Sequence, residues 1–325
     1  KRSIMKNKIH IFCTLGPSSL NSKFLKYTNN NVSLVRLNMS HIEIKNLKKI
    51  INRVRQHTKC PICIDTEGAQ IRAKVRKNAE LRVGQTIKIF KNYGNFILYP
   101  DSVFNRIKVG DVLDIGFDDL KCKVFKINKE IIFLKTLSSG KLENNKGINI
   151  SNRSIKLDYL TAKDFEAIEI GKKLKIKNYA LSFTNSVDDI RRFSKILPNQ
   201  KKIFKIESKQ AIKSFNKIAK IADNFLIDRG DLSKEIKIEN IPPIQRKIFK
   251  ISKKYKKKNI FVATNLLENM IKNKYPTRGE ANDIYSTLEM GAKGLVLAAE
   301  TAIGDFPEES VIFLKKMIKI YEKNH

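Results

Sequence analysis

Lys205 and Glu207 stand one residue apart in an apolar run, so in an extended strand both side chains leave the same face. A second acid, Asp231, closes the next run of that kind. From neighbouring strands Glu207 and Asp231 would share a divalent cation, and Mg2+ held by carboxylates together with a substrate phosphate is a common arrangement. Other apolar runs close on polar groups too: Arg36, Asn38 and Ser40; Asp65 and Thr66, with Arg72 just beyond; Arg229 and Gly230 ahead of Asp231; Thr264 and Asn265; Glu300 and Thr301. Any one of these charges reads equally well as a solvated loop residue, but their recurrence at run after run does not. Mg2+, a lysine, two arginines and several alcohols make a clamp for a transferring phosphoryl group, chemistry in which electrostatic positioning supplies most of the catalysis. The Gly-Lys-Lys at Gly171 lacks the earlier glycine and the following Ser or Thr of a P-loop, so phosphate binding falls to side chains.

Eight short runs rich in β-branched residues would position these groups: 9–15, 32–38, 61–66, 178–183, 201–207, 224–231, 259–264 and 294–301. Helical periodicity follows them, as at 42–56, 161–175, 187–197, 209–222, 243–257, 281–290 and 307–321. Strand-then-helix repeated in this way predicts an α/β fold, a (β/α)8 TIM barrel, whose active site lies at the C-terminal ends of the strands. The rhythm breaks between about 73 and 157, where the pattern alternates at period two around hairpin signals such as Lys108-Val-Gly-Asp111, Asn128-Lys129 and Ser138-Ser-Gly140. That stretch predicts an all-β domain inserted after strand three, giving a barrel of 1–72 and 158–325 and an insert of 73–157. Inserted on that face, such a domain is expected to act as a lid.

Composition bounds the rest. A 42% hydrophobic content in 325 residues excludes whole-chain disorder and fits about two domains. Apolar runs all fall short of the roughly 18 residues that span a bilayer. The basic start, Lys1-Arg2-Ser3-Ile4-Met5, leads into Gly16-Pro17 with no signal-like apolar core, so a soluble, cytoplasmic protein is expected. The formal charge of +33, from 65 Lys or Arg against 32 Asp or Glu, is spread through every segment. It would attract phosphorylated metabolites and bind nucleic acid weakly at low salt, with no dedicated nucleic-acid site and no membrane partner expected. Four cysteines make no disulfide framework, and Cys13, Cys63 and Cys122 read as core. His57-x2-Cys60-x2-Cys63 has ligand-like spacing but lacks a second pair to close a zinc site.

These residues carry a resemblance. Cys13-Thr-Leu-Gly-Pro-Ser-Ser19, Arg36-Leu-Asn-Met-Ser-His41, Asp65-Thr-Glu-Gly-Ala-Gln-Ile-Arg72, Lys205-Ile-Glu207, Arg229-Gly-Asp-Leu232, Leu267-Glu-Asn-Met-Ile-Lys-Asn273, Pro276-Thr-Arg278 and Glu300-Thr-Ala302 resemble pyruvate kinase motifs in order and spacing. Asn145-Lys-Gly-Ile-Asn149 resembles the string near the end of that family's lid. The resemblance implies phosphoryl transfer from phosphoenolpyruvate to ADP, giving pyruvate and ATP. By motif position Glu207 and Asp231 would hold Mg2+, Lys205 would stabilise the phosphoryl group in flight, and Arg36 and Arg72 would steady the phosphate. Gly230, Asp231 and Thr264 would border the substrate, with Thr264 near the carbon that receives a proton. Asn38, Ser40, Asp65 and Thr66 match the K+ ligands, and Asn38, His41, Arg72 and Lys146 would meet the nucleotide.

The chain also departs from the resemblance. Glu67, Ala69 and Gln70 stand where Lys, Pro and Glu are typical, Asn265 stands for Gln, and Ala298-Ala299 stands for Ser-Gly. Asp228 puts an acid where a small residue is usual. The sequence closes after the last barrel helix, so effector regulation of the usual kind is not expected, while a homodimer through the barrel remains compatible. Two other classes compete with the kinase: a Mg2+-dependent lyase or aldolase that stabilises a 2-oxo-acid enolate, and a catalytically weakened paralogue with a binding role. The lid favours the kinase, because an aldolase has no ADP to cover.

Overall fold

The computed structural model describes residues 8–116, 120–153 and 155–325; the basic segment 1–7 lies outside them. The chain divides into two compact units, Lys1–Gly68 with Ala162–His325, and Ala69–Thr161.

The first unit is a closed barrel of eight parallel strands: β1 (His10–Thr14), β2 (Leu34–Asn38), β3 (Ile62–Asp65), β4 (Asn178–Leu181), β5 (Lys201–Ile206), β6 (Asn224–Asp228), β7 (Asn259–Ala263) and β8 (Gly294–Leu297). Burial on both faces explains why these strands read as continuous apolar runs. The inside is plugged by Phe12, Leu34, Cys63, Ala180, Ile203, Leu226, Phe261, Ala263 and Val296, so every strand contributes to one apolar layer.

Helices α1 (Ser22–Asn31), α2 (Ile44–His57), α3 (Ala162–Lys173), α4 (Val187–Ile196), α5 (Lys209–Ile218), α6 (Arg229–Glu235), α7 (Ile241–Ser252), α8 (Arg278–Glu289), α9 (Ala299–Ala302) and α10 (Pro307–Asn324) connect or follow the strands. Asn21, Ser186 and Ser208 cap α1, α4 and α5 through their side chains, and Thr277 with Glu280 forms a capping box on α8. Two expected strands end early. The runs 224–231 and 294–301 stop at Asp228 and Leu297, and their polar tails turn into α6 and α9. Helix α7 starts ahead of its prolines, which fit the first turn because their missing N–H groups would be unpaired there anyway. Among the described residues no helix is long and apolar enough to cross a membrane.

The second unit holds a closed, mostly antiparallel barrel of seven strands: Ile71–Val75, Thr86–Phe90, Phe96–Tyr99, Val112–Ile115, Leu120–Ile127, Ile131–Thr136 and Gly147–Ile150. Its own core includes Phe96, Leu98, Leu113, Val124, Ile132 and Ile148. The turn at Gly110 (φ +91°) is fastened by Asp111, whose carboxylate accepts from the Lys108 N–H at 2.7 Å.

Candidate active site

Strand period dictates the site. Two residues beyond the plug, on the same inward face, stand Thr14, Arg36, Asp65, Ser182, Lys205 and Asp228, following Phe12, Leu34, Cys63, Ala180, Ile203 and Leu226 respectively. A polar layer therefore sits directly on the apolar one. Arg36 donates from Nη1 to Asp65 Oδ2 (3.0 Å) and from Nε to Thr14 Oγ1 (3.0 Å). The Lys205 ammonium lies 3.0 Å from Glu207 Oε2, 3.3 Å from Asp228 Oδ2 and 3.5 Å from Asp65 Oδ2, and donates to Ser182 Oγ at 3.2 Å. Ser182 Oγ in turn donates to the Thr66 carbonyl (2.7 Å). Glu207 accepts the Phe183 N–H at Oε1 (2.7 Å), while its buried Oε2 accepts no hydrogen bond. The approach of Lys205 to that oxygen is an ion-pair contact without hydrogen-bond geometry.

The charges tune one another. Burial works against the Lys205 ammonium, yet Asp65, Glu207 and Asp228 together outweigh it and hold the group charged above its ordinary range. Burial is also the main influence on Glu207; with Asp231, Asp228 and Asp65 nearby it overrides Lys205 and pushes the carboxyl up to about 8. For Asp228, burial is overcome by Lys205, by Arg36 and by the Thr264 hydroxyl, and the carboxyl is held down at about 2.

Beyond β6 the chain enters α6, which brings Asp231 into its first turn, 2.6 Å from Lys234. Gly230 packs so closely that a Cβ there would lie 2.6 Å from Thr264 Cγ2. Thr264 and Asn265 follow β7 at φ +74° and +55°, a region that costs a β-branched residue dearly. Arg229 holds that turn: Nε and Nη2 donate to the Thr264 carbonyl (3.0 and 2.8 Å), Nη2 also donates to the Asn265 carbonyl (3.0 Å), and Nη1 is anchored on Asp283 (2.7 Å). The turn aims the Thr264 hydroxyl at Asp228 Oδ1, 2.7 Å away.

Glu207, Asp228 and Asp231 each offer a carboxylate oxygen within 4.8 Å of the others, and among the described residues they are the group suited to a metal ion. An all-oxygen donor set with one buried, unfilled oxygen fits a hard divalent cation. The family profile "Pyruvate kinase, barrel domain" matches residues 6–311. The chain belongs to the pyruvate kinase family. It is 31% identical to the pyruvate kinase of Thermotoga maritima over 333 residues, covering 96% of this chain and 71% of the relative. It is likewise 31% identical to a pyruvate kinase of Staphylococcus aureus over 323 residues, covering 94% of this chain and 55% of the relative. The chain thus spans little more than half the length of the staphylococcal protein.

Against the pyruvate kinase motifs, Arg36, Asp65, Lys205, Glu207, Gly230, Asp231 and Thr264 gather at the strand ends of the first unit. Asn38 and Asp65 are register partners on β2 and β3, and the Met39 N–H donates to the Asp65 carbonyl at 2.9 Å. Asn38 Oδ1 accepts from the Ser40 N–H (3.0 Å), the His41 N–H donates to the Asn38 carbonyl (3.1 Å), and Thr66 Oγ1 accepts from the Ser182 N–H (3.0 Å). Arg72 and Lys146 belong to the second unit. There Arg72 pairs in register with Gly147 and donates to the Asn145 carbonyl (3.4 Å), and Lys146 meets Glu143 at 3.0 Å.

Glu67, which replaces a lysine of the motif, is met by the Lys163 ammonium at 2.8 Å, and that ammonium also donates to the Met39 carbonyl. An ammonium thus stands beside the β2 end, supplied by α3. Glu300 and Thr301 are structural: Glu300 accepts the N–H groups of Leu267 (3.1 Å) and Ala298 (2.7 Å), and Thr301 donates to the Thr14 carbonyl (2.9 Å). The cysteines are buried free thiols; Cys60 faces the Val32 carbonyl and Cys63 is part of the apolar plug, so the His57–Cys60–Cys63 spacing makes no cluster. Asp228, not among the expected ligands, carried a legible signal: it follows Leu226 as Lys205 follows Ile203.

Proposed function

We propose that this protein transfers the phosphoryl group of phosphoenolpyruvate to ADP, giving pyruvate and ATP. The observation that carries the reading is the buried Lys205 ammonium set among Glu207, Asp228 and Asp65, with Asp231 at the same mouth, in a chain of the pyruvate kinase family. Mg2+, held by Glu207 and Asp231, would neutralise charge on the phosphate during transfer. Lys205, kept protonated by its carboxylate neighbours, stabilises the charge on the phosphoryl group as the bond to the enol oxygen breaks and the bond to ADP forms. Arg36, pinned by Asp65 and Thr14, steadies that phosphate. Gly230 and Asp231 border the substrate, and Thr264 lies beside the enolate carbon that accepts a proton. Asn38, Ser40, Asp65 and Thr66 form the K+ cage, while Asn38 and His41 meet the nucleotide.

The test is a coupled assay of pyruvate formation from phosphoenolpyruvate and ADP, with Mg2+ and with a chelator in its place. Mg2+-dependent formation of pyruvate and ATP in equal amounts is expected. Absence of both products at saturating substrate and KCl would refute the reading, and pyruvate released from a larger 2-oxo acid without nucleotide would replace it with a lyase.

A further inference from the structure

Asp228 is a charge in the inward layer of β6, and its carboxylate is only half used. Oδ1 accepts from Thr264 at 2.7 Å and Oδ2 faces Lys205 at 3.3 Å. A carboxylate offers about four lone-pair sites, so two remain. One of its oxygens shares the 4.8 Å group with oxygens of Glu207 and Asp231. Independently, Glu207 Oε2 is fully buried and accepts no hydrogen bond, although the Lys205 ammonium stands 3.0 Å from it.

Charge points the same way. With Glu207 ionised, Arg36, Lys205 and Lys234 supply three cations against the four carboxylates of Asp65, Glu207, Asp228 and Asp231. With a small neutral residue at 228 the group would be balanced before any metal arrived. Asp228 leaves it negative, and adds a third protein oxygen where motif position supplies two.

We propose that Asp228 is a third carboxylate ligand of the divalent cation. The inference rests on Glu207 and Asp231 holding the cation. Charge number and ligand count are the main levers on affinity for hard divalent ions.

The experiment is a Mn2+ titration of the full chain without substrate or nucleotide, followed through the electron paramagnetic resonance signal of free Mn2+. The native protein, Asp228→Asn, Asp228→Ala and Glu207→Gln are compared, with circular dichroism to confirm folding. Asp228→Asn keeps the shape and an acceptor for Thr264 while removing the charge. The native chain is expected to bind one Mn2+, Glu207→Gln to lose it, and both Asp228 variants to bind at least about tenfold more weakly. Native-like affinity in Asp228→Asn alongside loss in Glu207→Gln would overturn the role of Asp228 and leave the cation site standing. No substrate-free binding by the native chain would overturn the proposal, and an affinity unchanged by Glu207→Gln would also overturn the site on which it rests.

Discussion

Replacing Lys205 by Met keeps the bulk of the side chain and removes the charge at the centre of the polar layer. The ammonium stands 3.0, 3.3 and 3.5 Å from carboxylates of Glu207, Asp228 and Asp65, and the side chain is 4% exposed. Two unit charges at such a separation interact by about 5 kcal/mol at an effective dielectric of about 20. Removing one partner of a buried ion pair costs about 3–5 kcal/mol in practice, because the other is left uncompensated. Lys205→Met should therefore lose about 3–5 kcal/mol of stability in metal-free buffer above pH 8. The loss shrinks at pH 6, where Glu207, already up at about 8, holds a proton and one repulsion is gone. Asp228→Asn removes one of the charges Lys205 balances, so the double variant should be more stable than the two single effects predict, by about 2 kcal/mol. The chain has no tryptophan, and its α-helices lie in the barrel unit, so urea unfolding followed by the helical far-UV signal reports on the right part of the molecule. A Lys205→Met variant within about 1 kcal/mol of the native chain above pH 8, or strictly additive single effects, would refute the reasoning.

Three more outcomes follow from the same geometry. Because Glu207 is raised from 4.5 to about 8 in the folded chain, the folded state binds the extra proton. That contribution is full below about 4.5 and is lost as pH rises through about 8, so in chelator the native Tm should fall across this window relative to Glu207→Gln; a constant difference would contradict it. Arg229→Ala strips the Thr264–Asn265 turn of its guanidinium and should cost about 2–3 kcal/mol by urea unfolding, with kcat falling more than KM rises; unchanged unfolding and kinetics would show that the turn holds itself. With Gln70 neutral where the motif has an acid, K+ should still activate but at higher concentration; initial rate against KCl, with a tetramethylammonium salt holding ionic strength, would be flat if Asn38, Ser40, Asp65 and Thr66 take no ion.

How far the site was legible depended on what each residue's neighbours in sequence could say. Lys205 and Glu207 declared themselves, because period-two spacing within one strand fixes a shared face whatever the rest of the chain does. Arg36 and Asp65 were legible as polar strand ends, but their mutual 3.0 Å pair depends on β2 lying beside β3. The tails of 224–231 and 294–301 misled, since apolar runs that close on charged residues look the same whether the chain stays extended or turns into a short helix. Neither α6 nor α9 has a side-chain cap to announce it: Asp228 occupies the N-cap position of α6 yet its carboxylate is turned inward to Lys205 and Thr264, and α9 starts at an alanine. The period-two spacing that sets Lys205 two residues after Ile203 also sets Asp228 two residues after Leu226, and closure of the barrel, which puts Leu226 in the plug and the next inward position beside Lys205, commits this carboxylate to the mouth although it stands just before a helix whose N–H groups it would ordinarily cap.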